Sequence, residues 1–122
     1  MKTYPRSQRV AIRIQEEMAN ILLKSIKDPR LEMVTITTVS VTNNLRMARI
    51  YYSLHGDEKK KKDAAEGFKS AMGFLKREIA RTLGLRYMPE LRFLYDESFD
   101  YGNKIENILN NLSVVEGEIS DE

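Results

Sequence analysis

Cationic side chains recur at helical spacing in two parts of this sequence. Arg6, Arg9 and Arg13 are three and four residues apart, the interval that places side chains on one face of an α-helix. The aromatic ring of Phe74 and the guanidinium groups of Arg77 and Arg81 follow a similar interval. Because guanidinium groups hold phosphates and an aromatic ring can stack on an unpaired base, both groups favour nucleic-acid binding. For each group alone, an ordinary solvated helix face is the alternative.

Residues for catalysis are scarce. His55 is the only histidine and no cysteine is present, and His55 precedes Gly56 at a turn, where a histidine is more often structural than chemical. Asp96, Glu97 and Asp100 could attract a hard cation, but they lack the glycine and the terminal bidentate glutamate of a calcium loop. No glycine-rich loop followed by Lys-Ser/Thr occurs. We therefore expect no enzymatic activity, no bound metal and no cofactor.

The charges of the chain are unevenly distributed. Residues 1–95 carry 19 Lys/Arg and 10 Asp/Glu, a formal charge of +9, whereas residues 96–122 carry 1 and 8, a charge of −7. A basic body favours a polyanion such as RNA, and an acidic end repels one or mimics it. The lack of cysteine fits a reducing cytosol. We expect a cytoplasmic protein with no membrane partner, since neither a signal-peptide core nor a membrane-length apolar run is present.

The hydrophobic pattern predicts the order helix, strand, strand, long helix, strand, small helix. Ser7 can cap the first helix, which should end near Lys27 because Asp28-Pro29 follows. The next two strands should form a hairpin with a bulge near Thr38, where the apolar alternation slips by one residue. A turn at Thr42-Asn43-Asn44 separates them. The chain is thus one α+β domain over 1–112, followed by an acidic tail over 113–122 that we expect to be disordered.

The long helix carries apolar side chains every three or four residues until Gly84, which suits a helix C-cap. Its interior glycine, Gly73, disfavours the helix by about 1 kcal/mol relative to alanine. We therefore expect a kink at Ala71 and Gly73 that turns Phe74 towards the core. In an unbroken helix Phe74 would instead be exposed beside the two nearby arginines, which stay outside in either case.

The open face of the sheet offers an alternative binding surface. Arg49, Tyr51 and Arg92 should share this face, a layout that stacks unpaired bases in other small RNA-binding domains. Thr35 and Thr37 are expected there too, and such mixtures are common on exposed sheets. A generic single-stranded RNA binder is therefore one alternative function. A protein-interaction module whose acidic end docks a basic partner is another.

Several motifs occur in the order found in the ribosome-binding factor A family, which the sequence resembles over nearly the whole domain. They are Arg6–Arg13 opening the first helix, Asp28-Pro29-Arg30, Val34-Thr35-Ile36-Thr37-Thr38-Val39, the stretch from Leu45 to Tyr52, and Met88-Pro89-Glu90-Leu91-Arg92-Phe93 before Asp96. One departure is Asn43-Asn44 after the hairpin turn, where the family often has Asp. This change removes a charge but keeps the turn chemistry.

The resemblance implies a type II KH-like fold: helix, strand, strand, kinked helix pair, strand, with a three-stranded sheet and the helices on one face. In this family an Ala-x-Gly kink, here Ala71-Met72-Gly73, replaces the Gly-x-x-Gly loop of ordinary KH domains. The resemblance also implies an assembly factor that binds the free small ribosomal subunit and 16S rRNA, including its 5′-terminal helix region, and a monomer is the default expectation. Such a factor assists late maturation of the subunit and processing of the 5′ end of precursor 16S rRNA.

Recognition by such a factor should depend on basic helix faces and shape, because the loop that clamps nucleotides in ordinary KH domains is missing. Base-specific reading is therefore not expected. The residues that we expect to contact RNA are Arg6, Arg9, Arg13, Lys24, Arg30, Lys76, Arg77 and Arg81.

Overall fold

The computed structural model describes residues 5–98. In chain order its elements are α1 (Arg6–Lys24), a 3₁₀ turn (Pro29–Leu31), β1 (Thr35–Val41), β2 (Met47–Ser53), α2 (Glu58–Leu83) and β3 (Glu90–Tyr95). The predicted α+β class and the order of these elements are confirmed. The predicted small C-terminal helix, the domain end at 112 and the tail over 113–122 lie outside the described residues.

The three strands form one sheet with β2 in the centre. β2 is antiparallel to β1 and parallel to β3, and α2 supplies the crossover that a parallel pair requires. The register of β1 skips between Ile36 and Thr38, so Thr37 is bulged and the bulge predicted near Thr38 is confirmed. Thr37 Oγ1 donates a hydrogen bond of 2.6 Å to Asp96 Oδ2. The bulge thereby connects β1 to the segment that follows β3.

Both helices cover the same face of the sheet. Ala48, Ile50 and Tyr52 alternate along β2 and are buried against them, as their spacing predicts. The ring of Phe68 on α2 lies at the centre of the core, 4.7 Å from the Tyr52 ring and 4.2 Å from the Phe93 ring, centroid to centroid. Burial of one such side chain stabilises the fold by about 1.5–3 kcal/mol. This aromatic stack fixes α2 over β2 and β3.

The ends of α1 differ from the sequence prediction. Pro5 occupies the N-cap, and no side chain among the described residues caps this helix, so the predicted capping role of Ser7 is wrong. The proline side chain has no acceptor for the free N–H groups of the first turn, although its φ of −56° is compatible with the N-cap position. The helix ends at Lys24 rather than near Lys27. The N–H groups of Ser25 and Ile26 both bond to the Ile21 carbonyl, so the last turn loosens before Asp28.

α2 is one continuous helix. Asp57 caps it by accepting a hydrogen bond from the Lys60 N–H at 3.0 Å, and Gly84 ends it with a φ of 62°, as predicted. Ala71 and Gly73, where a kink is predicted, lie inside this one helix, which runs without a break from Glu58 to Leu83. Glycine keeps both backbone hydrogen-bonding groups, so its cost of about 1 kcal/mol is outweighed by the packing of the helix on the core. Phe74 is half-buried against the core without any break in the helix.

A close approach of the backbone occurs at a different glycine of α2. A Cβ at Gly67 would lie 3.0 Å from both Cγ and Cδ2 of Leu31, and 3.3 Å from Cβ of Arg30. A Cβ at Gly73 would meet Nη1 of Arg77 at an ordinary 3.4 Å. Gly67 therefore allows the 3₁₀ turn to pack against α2, and Gly73 has no comparable steric role.

Candidate nucleic-acid interface

Six cationic side chains line two adjoining depressions at one end of the molecule. One depression contains Arg6, Arg46, Lys76 and Arg86, and the other contains Arg6, Arg9, Arg13 and Arg86. We call these six residues together the basic surface. Since Arg6 and Arg86 line both depressions, the basic surface is continuous.

Four separate segments contribute to the basic surface. The first half of α1 lies beside the C-terminal end of α2, and its buried Val10 anchors the helix while the neighbouring arginines stay exposed. Lys76 comes from α2, Arg46 from the hairpin turn, and Arg86 from the loop after the Gly84 cap. The fold thereby gathers cations that lie up to 80 positions apart in the sequence.

The charges of the basic surface are not neutralised within the described residues. Over residues 5–98, none of the six cations forms an ion pair with a carboxylate. Among the residues that line the two depressions, Glu90 is the acidic one, and its Oε1 lies 3.7 Å from Nε of Arg92. Cations without a protein partner can each neutralise a phosphate and release its counterion. The geometry therefore suits a polyanion.

The hairpin turn that carries Arg46 is held by hydrogen bonds. Leu45 has a φ of 59°, a left-handed conformation that residues other than glycine seldom adopt. Its N–H bonds to the Thr42 carbonyl at 2.8 Å, and the Arg46 N–H bonds to Asn44 Oδ1 at 3.0 Å. The Arg46 carbonyl accepts from the Glu90 N–H at 2.8 Å, which ties the turn to the start of β3. These bonds hold the backbone of Arg46 in place before any ligand binds.

Of the eight cations predicted from the sequence to contact RNA, four lie on the basic surface, and two, Lys24 and Arg30, line neither depression. Lys24 is 18 residues from Arg6 on the same helix, which corresponds to about 27 Å. Arg30 lies in the 3₁₀ turn and forms an ion pair with Asp28, with 2.8 Å between Nη2 and Oδ2. The hydrogen bonds from Arg30 lower the pKa of Asp28 and the Asp28 carboxylate raises the pKa of Arg30.

The other two predicted cations lie on the exposed side of α2. The guanidinium of Arg77 lies over Gly73. Arg81 Nη2 is 2.6 Å from Glu78 Oε2, and this hydrogen bond raises the pKa of Arg81, with a weaker contribution from Glu17 of α1. A phosphate at Arg81 would have to compete with this carboxylate.

Sequence reasoning missed Arg46, Arg86 and the neighbouring Tyr87. Helical periodicity revealed the arginines of α1, whereas these three residues lie in loops, where no periodicity exists. Arg86 and Tyr87 follow the glycine cap of α2, a position at which a chain often turns back along the molecule. Only the three-dimensional packing shows that these loops meet the start of α1.

The open face of the sheet carries a second, weaker group of candidate residues. Arg49 and Arg92 are direct partners across β2 and β3, and Tyr51 is half-buried beside them. Thr35 is exposed, but Thr37 is bulged and bonded to Asp96. The predicted grouping of Arg49, Tyr51 and Arg92 is therefore present, although the nearby Glu90 offsets part of its charge.

The described residues contain neither a membrane-spanning helix nor a metal cluster. Within residues 5–98, both helices are too short or too polar to cross a bilayer. In the same range, no three His, Asp or Glu side chains are grouped closely enough to bind a metal ion. His55 is exposed just after the end of β2.

Comparison with known proteins identifies the family. The family model described as ribosome-binding factor A matches residues 6–109. The chain belongs to this family. The ribosome-binding factor A of Desulfatibacillum aliphaticivorans is 57% identical over 109 residues, which cover 89% of each chain. The family resemblance predicted from the sequence is therefore confirmed.

Solved structures of ribosome-binding factor A share the fold. The crystal structure from Thermus thermophilus matches with a TM-score of 0.64 at 21% identity, over 73% of this chain and 94% of that chain. A homology model of the Thermus thermophilus factor, fitted into the cryo-EM map of a 30S complex, gives a TM-score of 0.64 at 20% identity. That match covers 76% of this chain and 97% of the other.

Proposed function

We propose that this protein binds the free small ribosomal subunit and that the basic surface contacts the phosphates of 16S rRNA. Membership of the ribosome-binding factor A family supports binding to the ribosome, and a structural neighbour has been fitted into a 30S complex. The observation that carries the proposal is the convergence of six cations from four segments with no carboxylate paired to them over residues 5–98.

In the proposed mechanism the protein acts through binding energy and not through catalysis. It holds an immature arrangement of the rRNA, including the region of the 5′-terminal helix, and dissociates when the mature arrangement no longer fits its surface. This action assists late maturation of the subunit and processing of the 5′ end of precursor 16S rRNA. We propose that the protein does this as a cytoplasmic monomer.

We rank the predicted contact residues by their positions on the molecule. Arg6, Arg9, Arg13 and Lys76 come first because they share one surface with Arg46 and Arg86. Arg77 and Arg81 come second, since they lie on the exposed side of α2 and Arg81 is paired with Glu78. Lys24 and Arg30 remain predictions, and they would require an rRNA segment at the opposite end of α1.

Sedimentation through a sucrose gradient tests the proposal. The full-length protein is mixed with separated ribosomal particles at low and at moderate salt, and its position in the gradient is measured. We expect it to migrate with free small subunits and not with assembled ribosomes, and to dissociate as salt rises, because the contacts are made to phosphates. Migration apart from all ribosomal particles at low salt would refute the proposal.

A second candidate function is binding of single-stranded RNA by the open sheet face. The direct pairing of Arg49 with Arg92 beside Tyr51 favours it. Substitution of Tyr51 by alanine distinguishes the two functions. The sheet-face function predicts a large loss of RNA affinity, whereas binding through the basic surface predicts almost none.

A further inference from the structure

The rim of the larger depression carries an exposed aromatic side chain. Tyr87 is 76% exposed, and the Arg86 guanidinium lies 5.4 Å from the centre of its ring. The lining beneath the rim is partly apolar: Leu45, Leu85 and Met88 are half-buried there, and Pro89 is fully buried. An aromatic platform, an apolar floor and a ring of cations thus occur in one place.

We propose that this depression holds one unpaired nucleotide of RNA, with its base stacked on Tyr87 and its phosphate among the surrounding cations. These cations are Arg6, Arg46, Lys76 and Arg86. The inference rests on the proposed function and extends it by naming a particular subsite and the kind of RNA that enters it.

The chemistry of the lining matches an unpaired nucleotide better than other polyanions. A phosphate or an acidic peptide would satisfy the cations but would leave the Tyr87 ring and the apolar floor in water. A base in an A-form duplex is stacked and paired, so its face is not available to a side chain. An unpaired base offers a flat apolar face beside its own phosphate, which is the combination that single-strand binding sites use.

The depression is also shaped in advance. Leu45 contributes to the lining while it holds the unusual φ of 59°, a conformation that costs about 1–2 kcal/mol for an L-residue. The hydrogen bonds of the hairpin turn and the bond from the Glu90 N–H to the Arg46 carbonyl maintain it. Strained residues held in this way are concentrated at binding sites.

The test uses full-length protein and a short single-stranded oligoribonucleotide that contains one 2-aminopurine. Its fluorescence falls when the base stacks on an aromatic ring, so stacking is read directly. The variants are Tyr87→Ala, Tyr87→Phe and, as a matched control on the sheet face, Tyr51→Ala. Because Tyr87 is mostly exposed, neither of its substitutions removes core packing.

We expect Tyr87→Ala to weaken binding of the single strand by about 5- to 100-fold and to abolish the quenching. Tyr87→Phe should keep both, since phenylalanine also stacks, and Tyr51→Ala should behave as wild type. Binding of a duplex RNA of equal length should be the same for Tyr87→Ala and wild type, because the bases of a duplex are stacked and paired and cannot stack on Tyr87.

Other outcomes separate a failure of this inference from a failure of the proposed function. If Tyr87→Ala keeps both quenching and affinity while the protein still binds small subunits, the nucleotide subsite is refuted and the proposed function stands. If Tyr51→Ala removes the quenching instead, the base stacks on the sheet face and the subsite is also refuted. If wild-type protein binds neither small subunits nor RNA, both are refuted.

Discussion

Two glycines of α2 provide a matched test of the packing described above. Alanine in place of glycine stabilises a helix interior by about 1 kcal/mol. At Gly73 the new Cβ makes one ordinary contact of 3.4 Å with a flexible Arg77 side chain, so Gly73→Ala should retain this gain. At Gly67 the new Cβ lies 3.0 Å from two atoms of Leu31, which is only 2% exposed. Overpacking of this kind costs about 1–3 kcal/mol.

The helix-propensity gain is the same in both variants and cancels from their difference. We therefore expect Gly73→Ala to be more stable than Gly67→Ala by about 1–3 kcal/mol, with Gly67→Ala close to or below wild type. Urea unfolding followed by circular dichroism at 222 nm measures both free energies. Equal stabilisation by the two substitutions would refute the close approach at Gly67. Destabilisation by Gly73→Ala would show that Gly73 has a role that its surroundings do not reveal.

Three further predictions concern the ion pair, the bulge and the hairpin turn. Hydrogen bonds from Arg30 lower the pKa of Asp28 below its usual 3.8. The ionised Asp28 side chain therefore stabilises the folded protein fully above pH 3.8, and this contribution is lost as the pH falls through the lowered pKa. Asp28→Asn should therefore destabilise the protein by less than about 1 kcal/mol near pH 7 and by less still near pH 3, as measured by urea unfolding. A destabilisation by Asp28→Asn that is larger near pH 3 than near pH 7 would contradict this prediction. Thr37→Val removes the bond to Asp96 and should cost about 1 kcal/mol in the same assay, whereas Thr35→Val on the exposed part of β1 should cost almost nothing. Equal effects would refute the role of the bulge. Leu45→Gly relieves about 1–2 kcal/mol of left-handed strain but removes a half-buried side chain of similar worth, so stability should change by less than about 1 kcal/mol; a larger loss would show that the Leu45 side chain matters more than its backbone.

Local signals in the sequence were sufficient for most of the fold. The alternation of Ala48, Ile50 and Tyr52 identified the buried face of β2, because a strand has a strict period of two. The slip in apolar alternation located the bulge next to Thr38, and Gly84 marked the end of α2. These features depend on neighbouring residues alone, so spacing reveals them.

Features that depend on residues far apart in the sequence could not be predicted from local spacing. Gly67 is explained by Leu31, which is 36 positions earlier, whereas the kink predicted at Gly73 rested on local helix propensity alone. Arg46 and Arg86 belong to the candidate site because two loops meet the start of α1. Helical spacing treated all cations on a helix alike, and therefore grouped Lys24 with Arg6, Arg9 and Arg13, which are about 17 to 27 Å away along α1.

The affinity of two charge-matched variants for purified small subunits, measured over a range of salt concentrations, tests whether the basic surface contacts 16S rRNA. Arg9→Glu with Arg13→Glu reverses two charges on the basic surface. Lys59→Glu with Lys62→Glu reverses two exposed charges in the first turns of α2, about 20 Å or more from Lys76 along the helix.

We expect the surface variant to bind at least about tenfold more weakly. The slope of its plot of log affinity against log salt concentration should also be smaller in magnitude, by about 0.7–0.9 for each phosphate that the variant no longer neutralises. The control variant should keep most of the wild-type affinity and slope. Equal reductions of affinity in the two variants, or an unchanged affinity in the surface variant, would contradict the claim that the basic surface is where this protein contacts 16S rRNA.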